Sequence, residues 1–360
     1  MTIHKESELQ APPINTGRVL YYDVLRVLAA VAVMVIHIVG YKFSAVAPTT
    51  RAWNVLNLAD AAASWAVPVF FMLSGALLLS REYTLKKLYG KKILRIITCF
   101  VFWSAVYALW EFYKHRSLKG SVIEFIQGPD HMWFLFAIVG LYLFVPVLKK
   151  VVEDEATLRY FLILMFVISI VFNGAVVLLS PFSETKAKFL FGLIRQAGIQ
   201  YMPANTFYFV FGYYLSSHSI TKKQRRFIYI GGIVGFLFTA AGGAAASMYL
   251  KKPVAMFLAN NALGICLQAI GIFVLAKQLF SAKRLPKKVQ SALAYLADIS
   301  FGAYLVHFLV ILLLERFLNL HALRFHTLFS IPLLTIIVAV ISFGISALLN
   351  RIPIVKKYLV

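Results

Sequence analysis

Three residues able to do chemistry stand where a lipid-embedded helix least favours them. The apolar run 21–40, YYDVLRVLAAVAVMVIHIVG, carries Asp23, Arg26 and His37. A charged side chain at the centre of a membrane span costs about 2.5–3.5 kcal/mol on insertion scales, so such residues tend to face a cavity or a partner. The guanidinium of Arg26 offers a planar fork of donors suited to phosphate, and an imidazole such as that of His37 is the side chain whose ordinary titration range suits a general base. Asp23 stands one turn before Arg26, at the i,i+3 spacing that lets carboxylate and guanidinium pair. From Arg26 to His37 a helix turns through about 1100°, within ~20° of three full turns, and rises about 16 Å. Both side chains therefore leave the same face, about half the hydrocarbon thickness apart. Two readings fit these residues alone. In one, Asp23 and Arg26 are a structural ion pair and His37 an interhelical hydrogen-bonder; in the other, they form a polar stripe with a cation at one end and a proton acceptor at the other.

The helix that holds this stripe is one of many. The chain has 360 residues, 61% of them hydrophobic and 14% charged, with a mean hydropathy of +0.80. That composition indicates an all-α, polytopic membrane bundle. Runs of about 18 or more largely apolar residues place ten spans, near 19–40, 62–80, 93–113, 131–148, 160–180, 201–217, 227–249, 254–276, 291–315 and 327–350. The net charge of +22 sits in short clusters between these runs and not along one soluble face, so a nucleic-acid partner is not expected. With the N-terminus inside, the inner segments hold about twice as many Lys and Arg as the outer loops, the asymmetry of cytoplasmic segments. Both termini are thus expected in the cytoplasm, and, with Arg95 counted in the cytoplasmic cluster at the edge of the third span, Arg26 is the only Lys or Arg placed inside a span.

The expected organisation is a cytoplasmic tail over 1–18, one transmembrane domain over 19–350 and a cytoplasmic tail over 351–360. The first apolar run is too long and too charged for a cleaved signal peptide. Cys99 and Cys266 fall in separate spans, which gives no disulfide framework and no metal-type spacing. The connections 41–61 and 181–200 are expected as outer loops long enough for a partial lid.

Further polar residues sit at the outer ends of later spans. His307 falls in the outer half of the ninth, as His37 does in the first. His131 and Trp133 open the fourth, where a Trp anchors at the interface or stacks on a sugar ring. Asn205 and Asn260 occupy the outer thirds of the sixth and eighth, as interhelical glue or as binders of hydroxyl groups. In the second span, Ser74 and Gly75 allow close helix approach, and Pro68 is expected to kink the helix.

The pattern R-x10-H made by Arg26 and His37, "VPVFFMLSGALLL" at 67–79, "HMWFLFAIVGLYLFVP" at 131–146 and "ISFGAYLVHFLVI" at 299–311 occur in that order. Together they resemble the first, second, Trp-containing and late spans of the acyltransferase-3 family, membrane-embedded enzymes that O-acylate bacterial surface carbohydrates. In "KKILRIIT", Lys92 and Arg95 stand where the family often has Arg-x-x-Arg before a proline; the cation is kept, but Lys92 lacks the planar fork. The resemblance implies an acyl-CoA-dependent O-acyltransferase of the bacterial plasma membrane. It implies acetyl-CoA as the default donor, a carbohydrate or lipid-linked sugar as acceptor, and no metal. It further implies CoA phosphates on Arg26, Lys92 and Arg95, His37 as the general base or, alternatively, as a covalently acylated nucleophile, Asp23 orienting Arg26, and His307, His131, Trp133, Asn205 and Asn260 as acceptor-binding positions. Many relatives carry a hydrolase-like extracytoplasmic domain after the last span; none follows here, so transfer is expected to be completed within the membrane domain.

The same intramembrane Asp, Arg and His would also serve a proton-coupled secondary transporter or a glycan-precursor flippase. A transporter built from repeats shows corresponding interrupted spans in its two halves, and the sequence shows no such correspondence.

Overall fold

A chain in lipid has no water to satisfy its backbone, so each crossing must close its hydrogen bonds within itself. The computed structural model describes residues 18–179, 182–196, 204–281 and 285–360, and among these every regular element is a helix. The expected N-terminal tail as far as residue 17, and the first three residues of the expected sixth span, lie outside the described residues. Nine helical units among the described residues are long and apolar enough to cross a membrane: Leu20–Phe43, Arg51–Leu78, Leu85–His115, Leu118–Glu153, Glu155–Leu179, Lys222–Leu250, Met256–Phe280, Lys287–Leu318 and Thr327–Leu349. The expected sixth crossing is represented by the helix Ala204–Ser217.

The labels used below are α1 (Leu20–Phe43), α2 (Arg51–Ala63), α3 (Ala66–Leu78), α4 (Leu94–His115), α5 (Leu118–Gln127), α6 (Trp133–Glu153), α7 (Glu155–Phe166), α8 (Phe172–Leu179), α9 (Glu184–Gln196), α10 (Ala204–Ser217), α11 (Lys222–Leu250), α12 (Leu263–Phe280), α13 (Lys287–Leu318), α14 (Thr327–Leu349) and α15 (Pro353–Tyr358).

Two features position the site. Helices α1 and α13 run parallel, tied at one end by Arg18 to Asp298 at 2.9 Å and at the other by Lys42 to Glu315 at 2.6 Å. Helices α3 and α10 pack backbone against backbone: a Cβ on Gly75 would stand 1.6 Å from the Phe209 carbonyl oxygen, and one on Gly212 would stand 2.0 Å from that of Met72. Only glycine permits that approach, the small-residue packing expected between helices in lipid. Lys277 of α12, fully buried, donates to the carbonyl oxygens of Leu215 at 2.7 Å and His218 at 2.8 Å. It thereby satisfies carbonyls that the end of α10 leaves without helical donors.

The structure corrects the reading at three places and adds to it at a fourth. The stretch expected as an outer loop over 41–61 is helical from Arg51, and α2 with α3 forms one broken crossing. Asn57, Asp60 and Ser64 make interior contacts: Asn57 Nδ2 donates to the Ala240 carbonyl at 2.9 Å, and Ser64 Oγ donates to the Asp60 carboxylate at 3.0 Å. The break at Ser64 and Trp65 lies one turn before Pro68, whose missing N–H withholds the i→i−4 bond from Ser64. Within 181–200, residues Glu184–Gln196 are likewise helical. Lys277, placed by sequence in an inner connection, belongs to the interior of the bundle. Finally, the segment 351–360 is docked: α15 leads to Leu359 and Val360, whose carbonyls accept from Trp103 Nε1 at 3.0 Å and from Arg95, and Val360 is 2% exposed.

Candidate active site

The residues of the R-x10-H pattern line one cavity of about 420 Å³ between α1, α3, α4, α6 and α13. Arg26, Lys92, Arg95 and Asp298 line its end nearest Arg18, Tyr142 and Ser74 its middle, and His37, His131, Trp133 and Tyr304 its far end. The about 16 Å rise between Arg26 and His37 on α1 gives the cavity its length.

At the near end the pairing differs from the sequence expectation. Asp23 accepts from Arg18 Nε at 2.5 Å, and the other guanidinium nitrogens of Arg18 reach both oxygens of Asp298 at 2.9 Å each and the Ala294 carbonyl at 2.6 Å. Arg18 precedes the first helical residue, and its backbone is free to fold back over the first turn of α1. Donating hydrogen bonds to Asp298 and then Asp23 pushes the Arg18 pKa upward, which fixes its charge. Among the described residues Arg26 forms no hydrogen bond and no ion pair within 4 Å; Asp23 acts on it only through space. Lys92 lies over the Tyr83 ring at 4.8 Å, in the π-helical turn Leu88–Ile93 that leads into α4, and this widened turn directs both Lys92 and Arg95 to the cavity. Arg95 is engaged by the Val360 carbonyl.

At the far end three imidazoles converge. The His37 ring centroid lies 5.1 Å from that of His307 and 5.9 Å from that of His131, and His131 and His307 are 5.2 Å apart. His131 reaches this place by a chain reversal at Gly128, φ +71°, and the 3-10 turn Asp130–Met132. A Cβ at Gly128 would stand 2.7 Å from the Phe100 ring, so the reversal needs glycine for both its φ and its space. The Tyr304 hydroxyl donates to the His131 carbonyl at 2.5 Å. His307 Nδ1 lies within hydrogen-bond distance of the Tyr304 carbonyl, which can only accept, so Nδ1 carries the proton and Nε2 of the neutral ring is an acceptor. Neither His307 Nε2 nor either ring nitrogen of His131 has a hydrogen-bond partner among the described residues.

The structure thus gathers His37, His131, Trp133, Arg26, Lys92 and Arg95 around one cavity, with His307 buried behind His37. It does not bring Asn205 or Asn260 to that cavity: Asn260 contributes its carbonyl to the Tyr208 hydroxyl at 2.5 Å, and Asn205 lies in the first turn of α10. Neither lines the cavity: α10 packs on α3, and the segment bearing Asn260 is tied to α10 through its main chain. Asp23 holds Arg18 instead of Arg26. Sequence reasoning passed over Arg18, Tyr142, Asp298 and Tyr304. Tyr304 was within reach of it, standing three residues before His307 on one helix face, whereas Tyr142 and the Arg18–Asp298 tie required the tertiary arrangement.

Fold and cavity define a polytopic helical membrane protein with an internal polar site joining free cations to imidazoles. The family model described as an acyltransferase domain matches residues 19–351, nearly the whole chain, and the protein belongs to this acyltransferase-3 family. It is a membrane acyltransferase. Neither the curated proteins nor the solved structures contain a match to the chain.

Proposed function

We propose that the protein transfers a short acyl group, acetyl by default, from cytoplasmic acyl-CoA to a hydroxyl of a carbohydrate or lipid-linked sugar at the outer side of a bacterial plasma membrane. The observation that carries this reading is that one cavity touches both Arg26 and His37. The near end is the cytoplasmic one, in keeping with the basic residues around it. CoA is a polyanion, and its phosphates rest on Arg26 and Lys92, with Arg95 available when it releases Val360. The pantetheine arm follows the cavity past Tyr142, and the thioester arrives beside His37. There His37 takes the proton of the acceptor hydroxyl as its oxygen attacks the thioester carbonyl, the work of a positioned general base.

The test uses purified protein in nanodiscs, with free thiol and acylated acceptor as readouts and sugar hydroxyl compounds as acceptors. Wild type should release CoA from acetyl-CoA, and folded His37→Ala should lose about 10²–10⁴ in kcat. Absence of acyl-CoA binding by the wild type, measured directly, would refute the reading.

A further inference from the structure

We propose that His131 is the oxyanion donor of this site, a catalytic residue acting on the thioester carbonyl while His37 acts on the attacking hydroxyl. The inference rests on the acyl-transfer reading above. Attack on a thioester places negative charge on the carbonyl oxygen, and a preorganised donor at that point is worth a large share of the catalysis. Many acyl-transfer sites meet this need with backbone N–H groups. Most of the cavity wall is mid-helix, where backbone donors are committed to their own ladders, so the donor sought here is a side chain.

The far end of the cavity offers few. The Tyr304 hydroxyl is committed to the His131 carbonyl at 2.5 Å, and Ser300 Oγ to the Ala297 carbonyl at 2.8 Å. The Trp133 ring packs against Phe71 and Phe134, with centroids at 6.3 and 6.4 Å, and has no ring contact with the histidines. His307 spends its N–H on the Tyr304 carbonyl. His131 lines the cavity, is 2% exposed, and has neither ring nitrogen bonded among the described residues. A neutral imidazole always carries one N–H; the Leu305 carbonyl, the backbone acceptor that acts on this ring, already accepts from the Tyr107 hydroxyl at 3.0 Å and forms no hydrogen bond of normal geometry with it, so the N–H remains available to a substrate oxygen at the cavity wall. Its ring is 5.9 Å from that of His37 at an interplanar angle of 76°. Two imidazoles so placed address two atoms of one tetrahedral centre. The hold on His131 is through its own main chain, by Tyr304, so the ring is positioned without using its nitrogens.

The step balances as follows. The acceptor oxygen forms a bond to the thioester carbon, His37 takes the hydroxyl proton, and the carbonyl electron pair moves to oxygen, where the His131 N–H holds it. On collapse the carbonyl re-forms, the C–S bond breaks, and the thiolate takes the proton from His37, leaving an ester, CoA thiol and both imidazoles as at the start.

The experiment compares wild type, His131→Gln, His131→Leu and His131→Phe in nanodiscs, measuring kcat and KM for acetyl-CoA-dependent transfer, with thermal unfolding of each. Gln keeps an N–H donor; Leu and Phe do not, and Phe keeps the ring volume should Leu fail to fold. The expected result is a loss of about 100-fold or more in kcat for the donor-less variants, with KM for acetyl-CoA within about threefold of wild type and about tenfold recovery in Gln. Equal losses in Gln and Phe, a loss confined to KM, or unchanged kcat in Phe each overturn the inference while the active wild type leaves the acyl-transfer reading standing. A folded wild type without transfer overturns that reading, and the inference with it.

Discussion

Asp23 is held by Arg18 and not by Arg26, although Arg26 is the nearer of the two in helical spacing. Arg18 also grips Asp298 through two bonds of 2.9 Å, so one guanidinium absorbs both carboxylates beside the cavity mouth. The consequence is electrostatic: Arg26 keeps an uncommitted charge inside the bundle. Arg26→Gln is expected to raise the KM for acyl-CoA by about tenfold or more, the worth of one hydrogen bond between charged groups, with little change in thermal unfolding. Arg18→Gln should do the reverse, lowering the unfolding temperature by releasing α1 from α13. If Arg18→Gln raises KM and Arg26→Gln does not, the anion is held by Arg18.

What the sequence could reveal followed from how local each feature is. The stripe on α1 was legible because helical geometry alone puts Arg26 and His37 on one face. His131 and His307 were recognisable as intramembrane polar residues, but their meeting with His37 depends on the reversal at Gly128 and on the parallel packing of α1 and α13. The stretch containing Asn54, Asn57 and Asp60 reads as a loop by composition and is a helix: Asn54 bonds back to the Thr50 carbonyl, Asp60 accepts from Ser64 of the same crossing, and Asn57 finds its partner on a neighbouring helix, at the Ala240 carbonyl. Lys277 misled for the same reason: three carbonyls from α10 and the turn after it accept its protons, and nothing in α12 itself signals them.

The crossing of α3 and α10 gives a sharper test of packing. Gly75→Ala drives a methyl into the Phe209 carbonyl and Gly212→Ala into that of Met72, neither of which can yield as a flexible side chain does. Both variants should fail to give a monodisperse folded protein in detergent. Gly140→Ala, with nothing within 4 Å of the added Cβ, should fold as wild type or gain a few tenths of a kcal/mol up to about 1 kcal/mol from helix propensity. Normal size-exclusion profiles for the first two would show that the helices approach less closely.

A pH effect is expected outside the membrane, at the start of α7. Asp154 caps this helix, accepting from the Thr157 hydroxyl and the Thr157 N–H at 2.7 Å each, and these bonds lower its pKa below the ordinary carboxylate value, the hydroxyl most. A carboxyl more acidic folded than unfolded binds fewer protons in the folded state. Its contribution is therefore present above its unfolded pKa and fades as pH falls through the folded one. Asn caps without a charge to lose, so Asp154→Asn should show a smaller fall in unfolding temperature than wild type between about pH 5 and about pH 2. Parallel thermal scans across that range decide it; identical slopes would remove Asp154 from the acid response.

Lys277 separates stability from chemistry. Its ammonium is fully buried and bonded to the carbonyls of Leu215, Ser216 and His218, while it does not line the cavity. Lys277→Met keeps much of the volume and leaves those carbonyls without their donor, each at a cost of about 1–3 kcal/mol when buried. The expected outcome is a destabilisation of about 2–4 kcal/mol, discounted from the simple sum because the end of α10 can relax. The folded fraction should keep the wild-type KM for acyl-CoA, because Arg26 and Lys92 are held by other helices. Thermal unfolding and acyl-CoA titration on one preparation check both halves. A variant that unfolds as wild type but loses acyl-CoA affinity would place Lys277 in the donor path and require the cavity to extend beyond α13 towards α12.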